Sequence, residues 1–229
     1  MTFLAGQPTG SASGAERRAR FGLLLAALVA AFAVEGIAEP GPWEQVIVTA
    51  LLATTLLLAF WVADVRPRVR RGGIALAIAM LTISIVGAAT GHIDSAAARL
   101  ANMALVTLAP PAIVVGVVRS LRARNQVTVE AVFGVLCLYI LLGMFFAFLY
   151  GAIDHLAGSF FAQAQPATVS RCLYFSFTTL TTVGYGDLTA RSNLGHTLSV
   201  AEALTGQIYL VTVVSLIVGN LGRSRRHER

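Results

Sequence analysis

The 229-residue chain contains no lysine, and only 12% of its residues are charged. All 17 basic residues are arginine, set against 11 acids, for a net charge of +6. A basic excess in a soluble protein points to nucleic acid. Here the arginines stand in short clusters between apolar runs, which is instead the pattern of membrane topology, and no nucleic-acid partner is expected. A chain that is 56% hydrophobic cannot hide its apolar surface in a soluble core. Only two cysteines occur, Cys137 and Cys172; they have no metal-ligand spacing and read as free thiols. No Ser/His/Asp set, metal cluster or phosphate-binding loop is present, and His92, His155, His196 and His227 are isolated, as at loops or helix ends. These absences argue against an enzyme and against a cofactor.

What the chain has is apolar length. Residues 1–15 are mainly Gly, Ser, Ala, Thr and Pro and read as a disordered tail. Six apolar stretches follow: Phe21–Ala38, Trp43–Ala63, Gly73–Thr90, Ala101–Val118, Val127–Tyr150 and Gly195–Leu221. Each has at least 18 residues, enough at about 1.5 Å per residue for roughly 30 Å of hydrocarbon. Arg17-Arg18 ahead of the first stretch imitates a twin-arginine export signal, but the run is long for a signal core and five more spans follow. With six spans and the N-terminus inside, fourteen arginines fall on the cytoplasmic side and only Arg99, Arg171 and Arg191 on the other. That bias puts both termini in the cytoplasm. The expected fold is an all-α membrane protein. It divides into the 1–15 tail, a four-helix domain over 16–125, a second unit over 126–222 and a basic tail over 223–229.

Between the fifth and sixth spans, Val169–Thr181 is too short to cross and leads into Thr181-Thr182-Val183-Gly184-Tyr185-Gly186-Asp187. Two glycines two residues apart give two backbone positions that take φ > 0 at no steric cost. A chain alternating in this way turns a row of carbonyls to one side, and four such segments around an axis form stacked oxygen rings. This run resembles the selectivity filter of potassium channels, matching it at every position of Thr-Val-Gly-Tyr-Gly-Asp. The resemblance is specific over about 127–222 and rests only on the number of spans before that. It implies a re-entrant pore helix and filter, a homotetramer in the cell membrane (the inner membrane of a bacterium), and K⁺ as the permeant ion. The implied K⁺ ligands are Thr182, Val183, Gly184, Tyr185 and Gly186, with Asp187 at the outer mouth. One loop cannot surround an ion, so rotational symmetry must supply the others. Transporters with similar loops usually carry four degenerate copies in one chain; this chain has one.

Around the filter the chain departs from the family. Tyr174 and Phe175 stand where many relatives have two tryptophans, and Thr178 stands where some have a glutamate that pairs with the filter aspartate. Phe175 has no donor with which to tether Asp187. Support for the pore helix is therefore expected from Tyr174, Phe175, Thr178, Thr179 and Glu202. Glu202 is the one acid well inside a span, where a carboxylate is costly and marks function. It reads as a brace behind the pore helix, with the pore-helix hydroxyls, Thr178 or Thr179 among them, as the donors the resemblance implies. Gly206 is either a hinge or a close helix contact. Gln207, Leu210 and Val214 recur at helical spacing as candidates for the cavity wall.

The fourth span carries no charge and contains Pro110-Pro111. Each charge that crosses 100 mV contributes about 2.3 kcal/mol, so an uncharged fourth helix has nothing to drive it. Gating by an arginine-bearing fourth helix is not expected. The eight residues after Leu221 leave no room for a nucleotide- or ion-sensing domain.

Overall fold

The computed structural model describes residues 10–37, 42–63, 66–90, 106–107, 114, 129–163 and 165–224. Among the described residues the chain is helical, with a single isolated antiparallel bridge between Phe161 and Ala190. In chain order the helices are α1 (Gly10–Ile37), α2 (Pro42–Ala63), α3 (Pro67–Thr90), α4 (Val129–Ala157), α5 (Val169–Leu180) and α6 (Asn193–Ser224).

Three segments are long and apolar enough to cross a membrane: Arg18–Ile37, Pro67–Gly87 and Ala131–Ala157. They correspond to the first, third and fifth expected spans. The second expected span is helical, with a shorter apolar stretch over Val46–Trp61, and the sixth forms α6. The fourth, Ala101–Val118, lies outside the described residues except for positions 106, 107 and 114.

One boundary corrects the sequence reading. The helix begins at Gly10, inside the segment expected to be a disordered tail. Adding a residue to an existing helix costs far less than nucleating one. A turn anchored in the apolar first span therefore propagates backward through Ala12, Ala15 and Glu16, which favour or tolerate helix. Residues 1–9 lie outside the described set, as does the basic tail beyond Ser224.

The helices pack in sequence from one side of the molecule to the other. α3 packs on α2, α2 on α1, and α1 on both α4 and α5. Among the described residues, α2 and α3 make no helix contact with α4, α5 or α6. α1 is therefore the bridge between the first helices and the rest. At the α2–α3 seam, the buried hydroxyls of Thr49 and Ser84 are 2.9 Å apart. At the α1–α2 seam, the Arg20 guanidinium lies 3.9 Å from the centre of the Trp61 ring, a cation–π contact.

The seam between α1 and α5 is mixed. Phe32 meets Phe177 with ring centroids 4.8 Å apart, and the Ser170 hydroxyl donates to the Gly36 carbonyl at 3.2 Å. This geometry puts the C-terminal end of α1 against α5 of its own chain. It can be checked with Gly36→Cys and Ser170→Cys together, in a chain whose native cysteines are replaced by alanine. Oxidation should give a cross-linked monomer that migrates faster on a denaturing gel. A dimer band in its place would show α1 packed against a neighbouring copy.

Candidate functional site

α5 has 12 residues, about 18 Å of helix, and cannot cross a bilayer. It starts at Thr168, whose side chain accepts from the Arg171 backbone N–H at 3.4 Å as an N-cap. Cys172, Leu173, Phe175, Ser176 and Leu180 form its buried face. Its other end holds the loop that follows. The last carbonyls of a helix lack partners within it, and here the loop supplies them. Thr181 N–H donates to Phe177 O at 3.0 Å and Thr182 N–H to Thr179 O at 2.9 Å. Val183 and Gly184 both donate to Thr178 O, at 2.8 and 3.1 Å.

The backbone then alternates in hand. Thr182, Gly184 and Gly186 have φ of 60°, 51° and 80°. Only the two glycines were expected there. A β-branched residue at positive φ is strained by about 1–3 kcal/mol and persists only where its surroundings dictate it. The hydrogen bonds of Thr182 and Val183 to α5 do so. The period of two, continued backward from Gly184, is the signal that identifies Thr182 in the sequence. Among the described residues, no hydrogen bond ends on a carbonyl of 182–187. Donors point back to the helix, and carbonyls are left to face elsewhere.

Behind α5, Glu202 meets hydroxyls other than those expected. Glu202, Ser176 and Tyr150 are all fully buried. Tyr150 OH donates to Glu202 Oε2 at 2.6 Å, and Ser176 Oγ lies 2.5 Å from Oε1. The same Ser176 oxygen lies 2.7 Å from the Gly143 carbonyl of α4. Thr178 and Thr179 are not the donors; Thr178 turns its hydroxyl back onto Phe175 O at 3.0 Å, within its own helix. Sequence reasoning missed Tyr150, Ser176 and Gly143. Ser176 lies four residues from both Cys172 and Leu180, so helical periodicity puts it on the inner face.

Phe175 supports the helix by packing rather than by tethering. Its ring lies edge-on to Tyr150, Phe160 and Phe161, at centroid distances of 5.3, 5.8 and 5.6 Å. Gly206 is a close contact: a Cβ there would sit 2.5 Å from Leu180 O and 2.7 Å from its Cδ1. Tyr139 OH donates to the same carbonyl at 3.4 Å.

At the far end of the loop, Asp187 is exposed. The Tyr174 and Tyr185 rings are parallel within 3°, with centroids 6.2 Å apart. Beyond Asp187 the chain is tied to the segment after α4. Ala162 N–H donates to Thr189 O at 3.0 Å, Arg191 N–H to Phe160 O at 2.8 Å, and His196 Nε2 lies 2.8 Å from Ala190 O. A cavity of about 700 Å³ opens between α1, α5 and the back of the loop, where Val183 and Tyr185 line it. Gln207 and Leu210 are exposed in the single chain, whereas the Val214 side chain lies outside the described residues.

Residues 134–222 match the ion channel family model. The chain is 34% identical over 86 residues to the inward rectifier potassium channel Kirbac3.1 of Paramagnetospirillum magnetotacticum. That match covers 38% of this chain and 28% of the relative, so the chain spans under a third of that protein's length. No solved structure matches the chain.

Three substitutions test the support around α5. Gly206→Ala forces a methyl group against a backbone carbonyl and should separate α6 from α5, lowering the temperature at which the protein loses its native band. Glu202→Ala leaves the Tyr150 hydroxyl without its acceptor, at about 1–3 kcal/mol for a buried unsatisfied group, and should lower it too. Glu202→Gln keeps both contacts and should remain near the parent. Heated samples run on a native gel would read all three.

Proposed function

Residues 134–222 make this chain a member of the potassium channel superfamily, and on that premise we propose that it conducts K⁺ passively through a filter of four Thr182–Gly186 segments. The observation that carries this reading is the alternating backbone hand at 182, 184 and 186, with the N–H groups of 182–184 committed to α5. Carbonyls freed in this way replace the water around a dehydrated monovalent cation. The carbonyl end of α5 adds partial negative charge on the inner side of the filter, which favours a cation waiting there. Asp187 collects cations at the outer mouth.

Four copies are what the family resemblance implies. One loop forms one wall of an ion path, and closed rotational symmetry supplies the others. In the single chain Val200, Leu204, Ile208 and Val211 remain exposed along α6, at helical spacing. The outward sides of Val183 and Tyr185 line an open cavity that a neighbouring copy would cover. The uncharged fourth span offers no voltage sensor, so gating answers to another stimulus. Both termini lie on the cytoplasmic side of the cell membrane, by the arginine bias.

In proteoliposomes or planar bilayers, reversal potentials under bi-ionic conditions should show K⁺ and Rb⁺ permeating far better than Na⁺ or Li⁺. Equal permeability to Na⁺ and K⁺ would refute selectivity. Gly184→Val or Gly186→Val should abolish conduction, because a β-branched residue strongly disfavours φ of 51° or 80°. Open probability should vary little across physiological potentials; a steep activation curve would reveal a sensor elsewhere in the chain.

A further inference from the structure

The buried cluster behind α5 has a proton count that does not close if Glu202 is a carboxylate. Three oxygen–oxygen contacts link Glu202 to α4 and α5: Tyr150 to Oε2 at 2.6 Å, Ser176 to Oε1 at 2.5 Å, and Ser176 to Gly143 O at 2.7 Å. Ser199, which also meets Tyr150, sends its own hydrogen to Gly195 O at 2.9 Å and supplies none to these three. Each needs a hydrogen between its oxygens, because bare oxygens at these distances repel. The Gly143 carbonyl has none to give. Tyr150 and Ser176 bring one each. An ionised Glu202 brings none and claims both, which leaves Ser176 and Gly143 in contact with nothing between them. A neutral Glu202 closes the count: its acid hydrogen goes from Oε1 to Ser176, the Ser176 hydrogen goes to Gly143 O, and Tyr150 donates to Oε2.

We propose that Glu202 is held as a neutral carboxylic acid and that its proton fastens the pore helix to α4 through the Ser176–Gly143 bond. Loss of that proton turns Ser176 toward the carboxylate and releases the α5–α4 link. The filter hangs from α5 by Phe177, Thr178 and Thr179, one to three residues along the same helix from Ser176, so release reaches it directly. The surroundings suit a neutral group. The titratable side chains facing Glu202 are Tyr150 and Tyr139 of α4, Cys172 of α5 lies beside Tyr150, and no cation among the described residues acts on the carboxyl. Tyr209, on the same helix, is engaged elsewhere, donating to Val135 O at 2.6 Å.

Infrared spectroscopy of the purified full chain in liposomes tests this. A protonated-carboxyl C=O band should be present at neutral pH, missing in Glu202→Gln, and displaced in Ser176→Ala, where the acid loses its acceptor. In the parent, alkaline titration should remove the band and reduce K⁺ flux over the same range. In Glu202→Gln, whose amide N–H₂ donates where the acid did, that alkaline loss of flux should vanish. Absence of a band assignable to residue 202 at neutral pH overturns the proposal. A band that disappears while parent flux stays constant overturns the coupling to the filter. The flux measurement rests on the channel reading, whereas the band does not; a chain that conducts at no pH would defeat the former and leave the protonation result standing.

Discussion

The filter depends on one small set of backbone hydrogen bonds. The carbonyls of Phe177, Thr178 and Thr179 accept from the N–H groups of Thr181, Thr182, Val183 and Gly184. A helix end leaves acceptors without partners, and an extended strand leaves donors; each satisfies the other. That exchange fixes which way the donors point, and so which way the carbonyls are free to point. It also holds Thr182 in a conformation its branched side chain resists. Everything behind α5 then matters because it decides where those acceptor carbonyls stand.

Three supports converge on α5, and each uses a different interaction. The Tyr150–Glu202–Ser176–Gly143 cluster ties it to α4 and α6 by hydrogen bonds with no solvent access. The rings of Tyr150, Phe160, Phe161 and Phe175 fill the space beside it. Gly206 lets α6 approach within the reach of a missing methyl group. From the other side α1 adds Phe32 and Gly36. Among the described residues α2 and α3 meet the rest of the bundle through α1, so that seam is one route by which a stimulus they receive reaches α5.

The positive φ at Gly184 and Gly186 was legible in the sequence, because glycine at alternate positions is written directly in residue types. Glu202 also stood out there, since a lone acid in an apolar helix has few innocent explanations. Its partners were not legible. Tyr150 lies 52 residues away and Ser176 lies 26 away, and which hydroxyl a carboxylate meets depends on how two helices cross, which no local pattern encodes. The nearer hydroxyls of Thr178 and Thr179 looked equally suitable, but helix geometry sends Thr178 back to its own backbone. Phe175 misled in a similar way: read as a lost hydrogen bond, it is a packing residue whose partners come from α4 and the loop after it. The start of α1 at Gly10 shows the remaining limit, because composition rich in Gly and Ser says nothing of a helix growing backward from a stable neighbour.

The central claim is that the alternating backbone of 182–186 turns its carbonyls onto a path that a dehydrated K⁺ occupies. Solid-state NMR of the full chain in liposomes, with ¹³C-labelled carbonyls at Val183 and Gly184, reads this at the atoms concerned. The account predicts one sharp set of carbonyl resonances in K⁺ that moves when K⁺ is exchanged for Na⁺. Resonances identical in the two ions would mean that these carbonyls do not face the permeant ion, and would contradict it.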